Sequence, residues 1–334
     1  MDYLNKYQKI VDTLDKYTYT KNDSKLIKKT KWVVMEKVHG SNFSIYYEKG
    51  NITFSKRNNK LKEDEWFYNY HLIKEKLIFC TNQLSELLNN DNFIIYGELF
   101  GGFYPKDTKN WNGPIPTRIN NKGISVIPFE ERAIQEGIYY SNNIEYMVFD
   151  IFIHNKFMDY QNMVEVLRKT DFFYAQPLLI DSYQKVLKFN INFDSRIPLQ
   201  LGYDELPKNT NIAEGIVIKP VNNIYVKNKS DQDVRCLIKI KNKKFLEVID
   251  DFDMNEAKKS YFYVFHNLVN QNRFQSVISK IGKLTIENKE IVIEELYDDV
   301  FNDFYTHYNI QYKDFSKVED YVKSLVNQLV TNNI

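Results

Sequence analysis

A lysine that can act as a nucleophile ends an apolar segment near the N-terminus. Residues 32–38 read Trp-Val-Val-Met-Glu-Lys-Val, and Lys37 begins a Lys-x-x-Gly element that closes at Gly40. A chain with 45 Lys and Arg residues and 11 glycines contains such a match by chance, so the strand-end position is what makes it informative. Attack requires the neutral amine, and because free lysine titrates near ~10.4, a working site must lower the pKa by desolvation or by neighbouring positive charge.

Three later lysines can supply that charge. Lys239 and Lys241 are two residues apart on the strand-like segment 234–242, so both side chains point to one face. Lys219 lies near the end of a second apolar segment, 214–220. If the fold brings these segments beside Lys37, their charges favour its neutral form.

Two glutamates lie in segments that otherwise favour apolar residues. Glu98 is in Tyr-Gly-Glu-Leu-Phe-Gly-Gly, and Glu214 begins Glu-Gly-Ile-Val-Ile-Lys-Pro. A buried carboxylate needs a partner, which can be a structural lysine or a metal ion that neutralises phosphate charge during nucleotidyl transfer. Taken singly, each glutamate fits either interpretation.

Alternating and helical patterns predict the elements that position these residues. Residues 1–17 have the spacing of an amphipathic helix, and residues 72–88 that of a second one. Lys49-Gly50-Asn51 is a hairpin signal. The predicted strands are 32–38, 42–48, 52–57, 93–100, 144–153, 214–220 and 234–242. Glycines and prolines in 101–143 predict a surface insertion, and residues 160–200 mix short helical and strand patterns.

The pattern changes near residue 245 from strand alternation to helical spacing, in windows such as 254–282 and 318–330. We therefore predict an α+β domain of antiparallel sheets over residues 1–245, followed by a helical domain over 250–334. No Gly-x-x-x-x-Gly-Lys or Gly-x-Gly-x-x-Gly loop occurs, which argues against those two modes of phosphate binding.

Composition sets broad limits on the class of protein. The formal charge is +1, so a nucleic-acid surface must come from local clusters of Lys and Arg. Two distant cysteines, Cys80 and Cys236, fit a cytoplasmic or other reducing compartment and imply neither a disulfide framework nor a zinc site. No window has the ~20 apolar residues of a membrane span, so we expect no membrane association. Nothing in the sequence indicates an obligate protein partner.

Six elements stand in one order: EKVHGSNF, SKR, YGELFGG, MVFDIF, AEGIVIKP and LIKIKNKKF. In this order they resemble the covalent nucleotidyltransferases, and most closely the RNA ligase 2 family of phage nick-sealing ligases and trypanosome RNA-editing ligases. His39 before Gly40, with Ser-Asn-Phe after it, favours RNA ligases over DNA ligases, which usually have Asp there. SVISKIG at 276–282 resembles the family's C-terminal domain. The long insertion resembles editing-ligase and viral relatives, which is compatible with a viral source.

The resemblance implies how ATP is bound. Lys37 would attack the α-phosphate and carry AMP. Glu98 would contact the ribose hydroxyls, and Phe149 would stack on adenine. Glu36 and Val38 would present backbone groups to the adenine edge.

The resemblance also implies the phosphate and metal contacts. Lys239 and Lys241 match the pair that holds the α-phosphate, with Lys219 as a third cation of the nucleotide site, and Glu214 matches the carboxylate that organises Mg²⁺ or Mn²⁺. The positions used around the phosphates and the RNA 5′ end are matched by His39, Asn42 and Arg57. Arg57 suits bidentate phosphate recognition, whereas a lone histidine is more often structural.

The expected function is therefore ATP-dependent sealing of 3′-hydroxyl/5′-phosphate nicks in double-stranded RNA or an RNA-containing duplex. Two alternatives stay open at this point. A DNA ligase or GTP-using capping enzyme usually appends a domain of short strands, whereas the region after residue 250 has helical spacing. A non-catalytic binder of RNA ends would not need to keep Lys37, Glu98, Glu214 and the Lys239–Lys241 pair.

Overall fold

The computed structural model describes residues 6–63, 65–102, 133–246, 261–308 and 316–334. The chain divides into two units, 1–242 and 243–334. The first unit contains the strands and the second is helical in its described part, so the chain has the predicted α+β class. The strands are β1 Lys31–Glu36, β2 Ser41–Glu48, β3 Asn51–Lys56, β4 Asn92–Gly101, β5 Ile144–Ile153, β6 Lys156–Phe157, β7 Phe173–Tyr174, β8 Pro177–Ser182, β9 Gly215–Pro220, β10 Tyr225–Lys227, β11 Asp233–Arg235 and β12 Ile238–Lys241.

Two sheets account for most of the strands. The first sheet has the order β12-β9-β1-β8 and is antiparallel throughout. The second has the order β3-β2-β4-β5-β6, and β7 adds to β5 in parallel. A separate hairpin joins β10 to β11. Six of the seven predicted strands are confirmed, with small shifts at their ends. The seventh, 234–242, is divided between β11 and β12, which belong to different sheets.

Alternation along β1 gives the first sheet two different faces. Trp32 and Val34 point into an apolar core with Ile216, Ile218 and Ile238. The intervening Val33 and Met35 point to the opposite face, and Lys37 continues that face beyond the strand end. The face of β1 that carries Lys37 is therefore separated from this core by the sheet itself.

The turn between β2 and β3 forms as the sequence predicts. Lys49 and Gly50 both have positive φ values, 49° and 86°, and the strands pair from Glu48 opposite Asn51 onward. Such a two-residue turn matches the twist of an antiparallel pair.

The predicted N-terminal helix is wrong over its described residues. Residues 6–13 are not helical, and only a 3₁₀ turn forms at Leu14–Lys16. The Gln8 amide bonds both the backbone N–H and the carbonyl of Arg235, and the N–H of Lys239 donates to Val11. These hydrogen bonds hold the segment against residues 235–239, and they stabilise it more than a short isolated helix would, because such helices are only marginally stable in water.

The helices of the first unit are α1 Lys21–Lys29, α2 Lys74–Leu88, α3 Tyr160–Leu167, α4 Tyr183–Val186 and α5 Ile197–Gln200. Helix α2 confirms the prediction for 72–88, and the mixture predicted for 160–200 is also confirmed. Helix α1 was not predicted. It begins with a capping box in which Thr20 and Asp23 bond each other's backbone N–H.

The predicted insertion at 101–143 lies largely outside the described residues, which resume at 133. Its last residues do not form a surface loop, because Tyr139 and Tyr140 are fully buried. The side chain of Asn211 accepts from the Tyr139 N–H at 2.8 Å and donates to the Tyr139 carbonyl at 2.7 Å. The turn-forming residues before 133 gave no indication of this buried end.

The second unit contains four helices in its described part: α6 Tyr261–Leu268, α7 Gln271–Ile281, α8 Lys289–Tyr308 and α9 Ser316–Thr331. They confirm the helical spacing predicted for 261–282 and 318–330, whereas residues 254–260 of the first predicted window lie outside the described residues. Its core also contains a charged residue, Arg273, whose guanidinium contacts Asp299 at 2.6 Å and Asp303 at 2.8 Å.

Candidate active site

Lys37 and Glu214 lie against each other, although 177 residues separate them in sequence. The Lys37 Nζ is 2.7 Å from Glu214 Oε2, and the Lys241 Nζ is 3.3 Å from the other oxygen. His39 Nδ1 is 3.5 Å from Oε2. The glutamate side chain is 2% exposed and that of Lys37 22%, so a buried carboxylate organises a lysine that solvent can still reach.

Strand register explains why these residues meet. The N–H of Lys37 donates to the Gly215 carbonyl at 3.0 Å, and Gly215 pairs with Lys241 across β9 and β12. A Cβ on Gly215 would lie 2.0 Å from the Ile240 carbonyl oxygen, so only glycine permits this close approach. Lys239 pairs with Val217, which places it on the same face as Lys241, as its spacing predicts.

Opposing effects act on the Glu214 carboxyl. Burial alone would raise its pKa, but Lys37 and Lys241, with a hydrogen bond from His39, hold the pKa well below its usual value. Glu214 is therefore a fixed negative charge in the free protein.

Glu98 provides a second carboxylate with the opposite behaviour. Burial raises its pKa to about 7, although Lys37, Arg57 and Lys241 each act to lower it. In the register of the second sheet it pairs with Asn42. The structure thus brings Glu98 into electrostatic range of Lys37, Arg57 and Lys241.

Gly40 fixes the distance between the Lys37 segment and the second sheet. A Cβ there would meet the Leu99 carbonyl oxygen at 2.1 Å and the Glu98 side chain at 3.0 Å. The glycine thus admits the backbone of β4. The backbone N–H of His39, which precedes Gly40, donates to the Tyr140 hydroxyl at 2.9 Å.

Lys219 is on the same sheet but has other partners. Its Nζ donates to the Phe149 carbonyl and to Asp150 Oδ1, both at 2.8 Å, and its side chain is 3% exposed. Arg235 also bonds Asp150, through both guanidinium Nη atoms, and the Tyr7 hydroxyl donates to the same carboxylate. Lys219 therefore anchors the backbone of Phe149, the residue predicted to stack on adenine, and Phe149 itself is half-buried.

Asp150, Arg235 and Tyr7 were not identified from the sequence. The signal for Asp150 was present, because it is a carboxylate in an apolar strand, as Glu98 is. No sequence signal marked Tyr140, which holds the backbone beside Gly40.

Glu36 and Val38, the predicted adenine-edge residues, flank Lys37 and are both buried. The Glu36 Oε2 accepts from the Arg196 N–H at 2.9 Å, whereas Oε1 has no hydrogen-bond partner among the described residues. Burial raises the pKa of Glu36 to about 7. This unpaired oxygen lies one residue from the nucleophile.

The donor set suits a hard divalent ion held jointly with substrate phosphates. Mg²⁺ is usually bound through one or two carboxylates plus phosphates and water, and the buried Glu214 supplies one such carboxylate beside Lys37 and Lys241. Within the described residues, no group of three or more His, Cys, Asp or Glu side chains could hold a metal by itself. Nor does any helix of this part of the chain have the length and apolarity needed to cross a membrane.

Residues 30–241 match the family profile described as RNA ligase, and residues 252–333 match the one described as T4 RNA ligase 2 C-terminal. The chain belongs to the RNA ligase family. This confirms the resemblance to the RNA ligase 2 family that the six sequence elements indicated.

Similar proteins include two mitochondrial ligases of Trypanosoma brucei brucei. RNA-editing ligase 1 is 27% identical over 255 residues, which is 69% of this chain and 53% of the relative. RNA-editing ligase 2 is 28% identical over 206 residues, which is 56% of this chain and 48% of the relative. This chain therefore matches about half the length of these relatives.

Two further similarities are more limited. Protein Early 65 kDa of Autographa californica nuclear polyhedrosis virus is 41% identical over 69 residues, or 21% of this chain and 12% of that protein. Among solved structures, a mutant of Naegleria gruberi RNA ligase with ATP and Mn aligns over 74% of this chain and 58% of its own, at 14% identity and a TM-score of 0.46.

Proposed function

We propose that this protein is an ATP-dependent RNA ligase that seals 3′-hydroxyl/5′-phosphate nicks in duplex RNA. The observation that supports this most is Lys37 held 2.7 Å from the buried Glu214, with Lys241 on the same carboxylate, in a chain of the RNA ligase family. The accessible lysine side chain, the fixed carboxylate and the second cation are the parts that nucleotidyl transfer to a lysine needs.

In the first step, the neutral Lys37 Nζ attacks the α-phosphorus of ATP. Lys37 first gives up one ammonium proton to water. The nitrogen–phosphorus bond then forms as the bond to the bridging oxygen breaks, pyrophosphate leaves, and a second Nζ proton passes to water, which leaves a phosphoramidate. Glu214 holds Nζ in place, and Lys241 and Lys239 stabilise the charge on the α-phosphate. Phe149 stacks on adenine while Lys219 fixes its backbone, and Glu98 contacts the ribose.

In the second step, an oxygen of the RNA 5′-phosphate attacks the phosphorus of the lysyl-AMP and frees Lys37. In the third, the 3′-hydroxyl attacks the activated 5′-phosphate, a phosphodiester forms and AMP leaves. Arg57, Asn42 and His39 orient the 5′-phosphate. A divalent ion, Mg²⁺ or Mn²⁺, held by Glu214 with phosphate oxygens would neutralise phosphate charge.

Labelling with radioactive ATP followed by denaturing electrophoresis tests the first step. Wild-type protein should retain label, Lys37→Ala should retain none, and Lys156→Ala, at an exposed lysine elsewhere, should label normally. Label from GTP in place of ATP would indicate a capping enzyme. If Lys37→Ala labels like the wild type, the proposed nucleophile is wrong.

A second experiment separates catalysis by Glu214 from a structural ion pair. Glu214→Gln keeps the shape of the side chain but removes the charge that holds Lys37 and Lys241. Labelling should fall by at least ~100-fold, in the range seen when one charge-stabilising group is removed from an active site. Thermal stability should stay close to wild type, and a collapse in stability large enough to explain the lost labelling would favour the structural role.

We also propose that the helical domain from about residue 250 onward engages the nicked duplex. The support is the match of residues 252–333 to the T4 RNA ligase 2 C-terminal family. A chain ending near residue 249 should join RNA that is already adenylylated at its 5′ end but fail on ordinary 5′-phosphate nicks. If this truncation seals such nicks as well as the full chain does, the domain has another role.

A further inference from the structure

We infer that helix α1 carries a second RNA-binding surface, remote from the reacting centre, which grips the phosphate backbone through a stripe of four lysines. The lysine stripe consists of Lys21, Lys25, Lys28 and Lys29, and all four side chains are exposed. The helix was not predicted from the sequence, and the proposed three-step reaction uses none of its residues.

The spacing of the four lysines places them on one side of the helix. At 3.6 residues per turn they fall within an arc of about 100°, whose centre lies about 150° around the helix from the buried Ile27. At 1.5 Å per residue, the stripe from Lys21 to Lys29 is roughly 12 Å long. Four charges of one sign along one line suit an extended polyanion better than a single small anion.

The packing of α1 fixes which way the stripe faces. Ile27 joins the apolar core on the outer face of the first sheet with Trp32 and Val34, and the Trp32 indole donates to the Ile27 carbonyl at 3.0 Å. Lys37 continues the opposite face of β1. A phosphate bound at the stripe is therefore on the far side of the sheet from the nucleophile.

The lysines of the stripe are not paired with the one acid of helix α1. None forms a salt bridge with a carboxylate of the described residues, and the acid of α1, Asp23, is used to cap Thr20. Lys21 and Lys25, and Lys25 and Lys29, are like-charge pairs four residues apart, which destabilise a helix. Such repulsion is relieved when a polyanion neutralises the stripe.

The occupant that fits is the RNA substrate itself, a choice that rests on the proposed function. A ligase must hold two ends of a duplex, and non-specific binding to phosphates is electrostatic and independent of sequence. The chain as a whole has a formal charge of only +1, so a local stripe is the form that such a surface must take.

The test measures equilibrium binding of the full-length protein, without ATP, to a labelled RNA duplex that contains no nick. The variant is Lys21→Gln/Lys25→Gln/Lys28→Gln/Lys29→Gln, and the titration is repeated between about 50 and about 200 mM salt. The matched control makes the same four-charge change at scattered exposed positions: Lys156→Gln, Lys169→Gln, Lys208→Gln and Lys229→Gln.

We expect the stripe variant to bind more weakly at low salt, and the slope of log Kd against log salt to be smaller by up to about 4, near 0.9 for each lysine. In the wild-type protein, four such lysine–phosphate contacts would weaken RNA binding by roughly 100-fold as the salt rises across that range. The stripe variant should lack this part of the salt dependence. The control should keep the wild-type slope. Labelling of Lys37 from ATP should be unchanged in both variants.

Wild-type affinity and slope in the stripe variant would overturn the inference, as would an equal loss in the scattered control. Lysine-dependent binding to phosphatidylserine vesicles but not to RNA would overturn it too, since the stripe would then face a membrane. Because binding is measured without ATP or ligation, a failure of the proposed function, seen as no label on the wild-type protein, is distinguishable from a failure here.

Discussion

Replacing Asp150 with asparagine leaves two buried cations without their counter-charge. The carboxylate is 1% exposed and contacts Lys219, 3% exposed, and Arg235, 1% exposed, each at 2.8 Å. Burial alone would raise the pKa of Asp150, but the two cations hold it below its usual range, so the group is charged at neutral pH. The change from Asp to Asn is nearly isosteric, and the effect is therefore one of charge.

The magnitude follows from what remains after the change. Removing one member of a buried ion pair typically costs about 3–5 kcal/mol, because the other charge stays desolvated. Lys219→Met should cost less, about 1.5–3 kcal/mol, since the Arg235–Asp150 pair stays intact. The double variant should be less destabilised than the sum by about 0.5–3 kcal/mol, because it removes one charge of each sign.

Urea unfolding followed by tryptophan fluorescence measures the first unit alone. The three tryptophans, at positions 32, 66 and 111, all precede residue 242, and Trp32 is fully buried. Asp12→Asn is the control, because its pair with Lys16 is on the surface and such pairs contribute about 0–1 kcal/mol.

Two results would refute this reasoning. A loss below about 1 kcal/mol in Asp150→Asn would mean that water or rearrangement compensates the cations. Additivity of Asp150→Asn and Lys219→Met would mean that the two residues do not act as one network.

Three further predictions concern other parts of the molecule. Burial raises the pKa of Glu36 from 4.5 to about 7, so the free energy of unfolding of the first unit should fall as pH rises between these values. Urea titrations at several pH values should show that Glu36→Gln removes up to about 3 kcal/mol of this fall. A pH dependence unchanged in the variant would contradict this. Arg273→Met should destabilise the helical unit by about 3 kcal/mol in circular dichroism melts, without moving the tryptophan transition, whereas Lys280→Met should cost less than about 1 kcal/mol. Equal losses in these two variants would count against a special role for the buried arginine. Gly40→Ala should abolish labelling by ATP, because the new Cβ would lie 2.1 Å from the Leu99 carbonyl oxygen. The control Gly50→Ala should label normally, since no atom lies within 4 Å of its new Cβ. Normal labelling of Gly40→Ala would show that strand β4 can move to admit the Cβ.

Local rules in the sequence determined much of the first unit. The hairpin at Lys49 and Gly50 follows from the ease with which glycine adopts positive φ. The common face of Lys239 and Lys241 follows from the two-residue period of a strand. The same rules identified Glu98 and Glu214 as carboxylates in apolar strands. Each of these inferences depends only on neighbours in the chain.

Contacts between distant segments decided the rest. The N-terminal segment has helical spacing, yet Gln8 and Val11 bond the strand region near Arg235 and Lys239, and those bonds outweigh a weak local preference. Lys219 has the same strand setting as Lys239, but Asp150 holds it between the sheets. Spacing along a strand fixes the face on which a side chain lies, whereas its partner is set by what packs opposite that face, and only the tertiary structure brings Glu214 to Lys37 across 177 residues.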